Sequence, residues 1–208
     1  AISGSVAEVN KLAGADVTLG AGVNYTISDT VKAADLNAIA DTTTGAITAT
    51  VAADTAQKLA YTIGGNTNLK ANALTNQINL KVTGATAAAA DLALLNGITA
   101  VNVQVDAKEI TGTATLLAAL YAPAAGFANL GDENVKVTGG VAASILEAEA
   151  ILAGTKGVVT TSVASGTAAA LNAGLTSATA KDALTLTVTN LATAASDLLA
   201  LDDKTSVK

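Results

Sequence analysis

Residues 78–95 read INLKVTGATAAAADLALL, and their pattern decides the fold. Ile78, Leu80 and Val82 alternate with polar Asn79 and Lys81, the period-two signature of a strand with one buried face. Thr83-Gly84 reads as a turn, and an Ala/Leu run follows in which Leu92 and Leu95 share one helical face. Strand, turn and helix therefore succeed one another within a single short stretch.

Three further stretches repeat this order: NYTISDTVKAADLNAI (24–39), NVKVTGGVAASILEAEAIL (134–152) and LTLTVTNLATAASDLLAL (184–201). Their turn elements are Ser28-Asp29-Thr30, Thr138-Gly139-Gly140 and Thr189-Asn190. Asp29 and Asn190 are expected as N-caps, because their side-chain oxygens can accept first-turn amides. Shorter units lie between: GAITATVAADTAQKLAYTI (45–63), AVNVQVDAKEITGTATLLAALY (100–121) and GVVTTSVASGTAAALNAGL (157–175). They predict strands over 47–51, 101–105 and 158–163, and helices over 54–61, 113–121 and 167–173.

The expected fold class is α/β, a right-handed parallel α/β solenoid of stacked strand–turn–helix coils in which long and short coils alternate. The coils are expected at 1–23, 24–44, 45–76, 77–99, 100–133, 134–157, 158–183 and 184–208, as one repetitive domain. The opening SGSVAEVNKL reads as a helical portion and the last helix ends near Leu201, so the piece is expected to begin and end inside repeats of a longer array. Strands joined through a helix are expected to run parallel with a right-handed crossover. Ordering a coil costs on the order of 1.5 kcal/mol per residue. The few aliphatic side chains of one coil return roughly 2 kcal/mol each, so coils must cover one another's faces.

Composition narrows the function. Half of the 208 residues are apolar but only 2% are aromatic, so the core is built of Ala, Val, Leu and Ile. Polar residues and Gly interrupt every apolar run before it reaches the ~18 residues of a membrane helix, and no membrane insertion is expected. There is no His, Cys, Trp or Met, and all eleven basic residues are lysine. Ser–His and Cys–His nucleophile systems and His- or Cys-held metals are thereby excluded. A net charge of -6 with no basic patch or stacking aromatics argues against nucleic acid. No G-x-S-x-G elbow, phosphate loop or G-x-G-x-x-G turn occurs. A carboxylate-pair glycosidase is formally open, but three Tyr and one Phe give little aromatic platform for a sugar. The aromatics read as gap-fillers in a small-residue core.

Residues 27–59, ISDTVKAADLNAIADTTTGAITATVAADTAQKL, resemble the tandem repeats of very large marine cyanobacterial cell-surface proteins, which combine an A-x-DLN-x-I stretch with a TTG-x-I/V-x-A stretch. Later repeats depart from it: ILEAEAI at 145–151 replaces the Asp-Leu-Asn pattern. The resemblance implies surface localisation and a structural, adhesive or motility-related role, and it carries over no catalytic residues.

The expected function is a non-enzymatic extracellular or cell-surface repeat module that self-assembles into a layer or filament, its partners adjacent repeats or further copies of itself. The alternative is a calcium-stabilised adhesin segment recognising a surface glycan or protein. Calcium takes oxygen ligands, and the candidates are Asp106 with Glu109, Asp132 with Glu133, and Asp202 with Asp203. None lies in an EF-hand loop, and acidic residues do not recur at one position of every repeat, so solvated turn charges are the simpler reading. Outward threonines such as Thr185, Thr187 and Thr189 suit an ice-binding face only if the coils are near-identical. Otherwise they reflect β-propensity.

Overall fold

Apolar alternation and Ala/Leu spacing produce alternating strands and helices, with several boundaries away from where the pattern predicts them. The computed structural model describes residues 1–12, 19–20, 22–189 and 193–207. Within these the chain alternates short strands and short helices, and every strand pairing is parallel, in two sheets. The chain divides into two units, residues Ala1–Asp106 with Gly126–Asn129, and Ala107–Ala125 with Leu130–Lys208.

In the first unit the order is β1 (Ile2–Gly4), α1 (Val6–Leu12), β2 (Tyr25–Val31), α2 (Ala33–Ala40), β3 (Ile47–Val51), α3 (Ala56–Ile63), α4 (Thr67–Ala71), β4 (Gln77–Asn79), β5 (Lys81–Ala88) and α5 (Ala89–Asn96). The first part of β6 (Val103–Gly112) and β7 (Phe127–Ala128) complete it. Strands β1, β2, β3 and β4 are neighbours in that order. The register aligns Ile2 with Tyr25 and Tyr25 with Ile47, so apolar side chains form a column into the core. Tyr25 and Ile47 are buried, as are Ile78, Leu80 and Val82 of the next coil.

The second unit holds the rest of β6, α6 (Ala114–Leu120), β8 (Asn134–Val137), α7 (Ile145–Gly154), β9 (Val159–Ser162), α8 (Ala168–Gly174), β10 (Ala183–Thr185) and α9 (Ala195–Asp202). Its strands follow the order β6, β8, β9, β10. Ile110, Val135 and Val159 repeat the apolar column, and all three are buried.

The helices have between five and ten residues, too short to persist alone; packing holds them. Alanines beside the leucines let helices lie close to the sheet: Ala56, Leu59, Ala60 and Ile63 are buried on α3, Ala168 and Leu171 on α8. Leu92 and Leu95 are fully buried, as their spacing predicted.

Two turn expectations fail. Ser28-Asp29-Thr30 lies inside β2, where the register against β3 shifts between Thr26 and Thr30. Thr83-Gly84 lies inside β5, with Gly84 at φ +126°. Both sites are irregular steps in continuing strands: β2 pairs with β3 again at Thr30 and Val31, and β5 runs on to Ala88. Asp29 does not cap α2, whose N-cap is Lys32 without a side-chain bond; its Oδ1 accepts the Val6 amide at the start of α1, 2.8 Å away. Thr138-Gly139-Gly140 falls between strand and helix as expected. Asn190 lies outside the described residues. The side-chain caps in place are Ser5, Thr55, Asn66, Thr113, Thr167 and Ser144; Ser5 closes a capping box with Glu8, and Ser144 closes one with Glu147. The other helices α2, α5 and α9 have no side-chain N-cap and carry an Asp (Asp35, Asp91, Asp197) in the first turn, where the helix dipole favours negative charge.

Candidate functional site

A recurring set of Thr and Asx side chains, most of the threonines buried, ties neighbouring coils together at several junctions. In the first unit Thr43 donates its hydroxyl to the Val23 carbonyl (2.5 Å) and accepts the Gly45 amide (2.9 Å). Asn24 Oδ1 accepts the Ala46 amide at 2.8 Å. In the second unit Thr155 donates to the Glu133 carbonyl (2.6 Å) and accepts the Gly157 amide (2.9 Å), while Asn134 Oδ1 accepts the Val158 amide (2.9 Å). The wiring is the same, and it requires a Thr-x-Gly step at each place.

A second kind of junction alternates with the first. Thr99 accepts the Ile78 amide at 3.0 Å and donates to the Ile78 carbonyl at 2.9 Å. Thr205 does the same to Leu184, at 3.0 and 2.7 Å. Beside them stand Asn76 and Asp182, 0% and 1% exposed. Asn76 accepts the Ile47 amide and donates to the Leu69 and Ile98 carbonyls. Asp182 accepts the Val159 amide with one oxygen and the Thr179 amide and hydroxyl with the other. Residues 76–101 thus correspond to 182–207 without insertion or deletion: Ile78 to Leu184, Leu80 to Leu186, Val82 to Val188, Leu92 to Leu198 and Thr99 to Thr205. These threonines escaped the sequence reading. Their signal was the recurrence of Thr-x-Gly at 43 and 155, and of Thr-x-Val at 99 and 205.

The acidic candidates are dispersed. Asp106 pairs with Lys81 at 2.8 Å and accepts from Asn129 at 3.0 Å; the Lys81 and Asn129 hydrogen bonds hold its pKa below the ordinary carboxylate value. Glu109 is half-buried on β6. Asp132 is exposed, 3.7 Å from exposed Lys156. Glu133 is buried and accepts from the Tyr121 hydroxyl and from the Gly131 and Asp132 amides. Burial and this carboxylate push the Tyr121 phenol pKa upward. Asp202 and Asp203 are exposed at the end of α9. Among the described residues no three carboxylates converge as a metal site would need.

Two grooves open in the second unit. One, of about 290 Å³, lies between Thr113, Thr138, Val141 and Glu147. Its carboxylate, Glu147, is occupied by Ser144 and by the Thr115 hydroxyl at 2.7 Å. The other, of about 270 Å³, is an apolar trough on the coil of β10 and α9, with Leu186, Val188, Leu198 and Val207 in its walls. No helix of the described residues is long and apolar enough to cross a membrane. The molecule is an α/β protein of strand–helix units on two all-parallel sheets. No family model, curated protein or solved structure matches the chain.

Proposed function

We propose that the chain is a structural module of an extracellular or cell-surface protein, its coils stacked as a right-handed α/β solenoid and engaged in no catalysis. The observation that carries this reading is the duplicated coil-to-coil wiring, Thr43 and Thr99 in one unit and Thr155 and Thr205 in the other. Many of the buried polar side chains join one coil to another, and a module made this way grows by adding coils. The absence of His and Cys from the sequence and the resemblance of residues 27–59 to cyanobacterial surface repeats support the same reading. The partners are adjacent repeats or further copies of the chain.

Immunogold labelling of cells that express the chain tests the location: gold outside the cell envelope is expected, and label confined to the cytoplasm overturns the reading. Thermal melting across a calcium titration is expected to leave the midpoint unchanged, and a large upward shift moves the reading to a calcium-stabilised adhesin. Polysaccharide, ester and peptide substrates are expected to survive incubation. Turnover abolished by replacing one carboxylate would contradict the non-enzymatic role.

A further inference from the structure

The connectors that lead from α3 to β4 and from α8 to β10 do the same work with different chemistry. Residues 43–59 correspond to 155–171 without insertion or deletion: Thr43 to Thr155, Gly45 to Gly157, Thr55 to Thr167 and Leu59 to Leu171. The correspondence resumes at Asn76 and Asp182. The stretch between is the longer one in the first unit, where it folds into α4. Each connector is tied back to the helix of the preceding coil, α2 in the first unit and α7 in the second.

In the first unit asparagines make the ties. Asn66 Nδ2 donates to Asn37 Oδ1 and Asp41 Oδ1 at 3.0 and 2.9 Å. Asn68 Nδ2 donates to the Ala40 carbonyl at 2.8 Å, and Asn72 Nδ2 to the Thr44 carbonyl at 3.0 Å. Of these acceptors only Asp41 titrates, and Asn37 shares its donor. In the second unit one carboxylate holds the connector: Glu149 accepts the Thr176 hydroxyl, the Ser177 hydroxyl at 2.8 Å and the Ser177 amide at 3.1 Å. The titratable groups around it are Glu147 on its own helix, engaged by Ser144 and Thr115, and Lys204 after α9, which donates to the Leu175 carbonyl at 2.7 Å. The neighbouring α6, β9 and α8 carry no titratable side chain. Burial raises the Glu149 pKa, but the bonds from Thr176 and Ser177 and the charge of Lys204 outweigh this and hold it below the ordinary carboxylate value.

We infer that Glu149 is an acid-released latch: protonation of its carboxyl frees the 176–181 connector from α7, while the 64–75 connector of the first unit stays fastened to α2. A protonated carboxyl turns one acceptor oxygen into a donor, and that donor faces the two hydroxyls and the amide already aimed at it. The carboxylate is held below its ordinary value, so the latch is closed above that value and opens as pH falls through the folded one. Ala178, buried within the connector, loses its cover when the latch opens. The device goes beyond a static structural role and is independent of cellular location, so cytoplasmic immunogold label would overturn the surface reading and leave this result standing.

Amide hydrogen exchange of the full chain tests it, each rate taken relative to the intrinsic rate at the same pH. Between pH 7 and pH 3 the protection of the Ser177 amide is expected to fall several-fold. The Asn68 and Leu69 amides, which Asn66 Oδ1 accepts in the first connector, are expected to keep theirs. In Glu149→Gln the Ser177 amide is expected to be weakly protected at both pH values, with circular dichroism reporting that the chain folds. Thr176→Val serves as a second variant: it removes one donor to the carboxylate and is expected to move the loss of Ser177 protection to higher pH. The inference is overturned if Ser177 protection at pH 3 stays within about twofold of that at pH 7. A parallel loss at Asn68 and Leu69, which would mark unfolding of the whole chain, also overturns it. So does a Thr176→Val profile identical to that of wild type.

Discussion

Gly157 approaches Glu133 so closely that a β-carbon on the glycine would lie 2.0 Å from the Glu133 carbonyl oxygen. Gly45 stands in the same relation to Val23, at 2.4 Å. Both glycines follow the wiring threonines, Thr155 and Thr43, by two residues and donate their amides to them. The coil junction is thus a backbone-to-backbone contact, and only a residue without a side chain leaves room for it.

Gly157→Ala and Gly45→Ala are each expected to destabilise the chain by roughly 1–3 kcal/mol, the usual cost of forcing atoms into a packed site. Gly65→Ala, where nothing lies within 4 Å, is expected to stay within about 0.5 kcal/mol of wild type. Urea denaturation of the three variants decides it, and equal midpoints would remove the close approach as the reason for glycine.

Asn76 and Asp182 occupy equivalent places but face opposite chemistry. The amide nitrogen of Asn76 meets two carbonyls, whereas the second oxygen of Asp182 meets an amide and a hydroxyl. Asn76→Asp sets a buried carboxylate against carbonyl oxygens and is expected to cost about 2 kcal/mol or more. Asn76→Ala is expected to cost on the order of 1–3 kcal/mol through unsatisfied groups. A denaturation midpoint for Asn76→Asp at or above that of wild type would show that the two carbonyls do not dictate the amide.

Leu92 and Leu198 are counterparts whose surroundings differ. Leu92→Ala empties a fully buried position and is expected to cost about 2–5 kcal/mol. Leu198, 46% exposed in the open trough, is expected to tolerate alanine with a loss below about 1 kcal/mol. Equal losses would mean that the last coil is already covered in solution.

Glu149 gives the acid response a sign. Partial burial raises its pKa, but hydrogen bonds from Thr176 and from the Ser177 amide and hydroxyl outweigh this, and the net shift is downward. A carboxylate held below its unfolded value of about 4.3 contributes stability that is fully present above that pH and lost as pH falls through the folded value. Glu149→Gln is expected to be less stable than wild type at pH 7, with the two stabilities converging below about pH 4. Parallel stability–pH curves for the two proteins would refute the role given to the carboxylate form.

The strands and helices were legible because their signals are local. Ile47, Ala49 and Val51 alternate within five residues, and the strand spans Ile47–Val51 as predicted. The 100–121 stretch was read less well: β6 starts at Val103 and continues through Lys108 and Glu109 to Gly112. Charged Asp106, Lys108 and Glu109 interrupt the apolar pattern after Val105, so the sequence alone predicts a strand that ends there. At Asp29 a capping residue was recognised correctly by type and assigned to the wrong helix, since its partner amide, Val6, lies 23 residues earlier in the chain.

The sequence by itself determined the element types, the parallel α/β class and the burial of Leu92 and Leu95, because a period of two or three to four residues records which face of each element is apolar. Only the tertiary structure decided which polar side chain meets which coil. Thr43 finds Val23, Asn76 finds Ile47 and Thr205 finds Leu184 across separations of 20, 29 and 21 residues. Those pairings depend on the register of neighbouring strands, which emerges when apolar columns such as Ile110, Val135 and Val159 align. Thr and Asn are equally at home in turns and caps, so residue type alone leaves their partners undetermined, and the packed coils select them by requiring every buried amide and carbonyl to be satisfied.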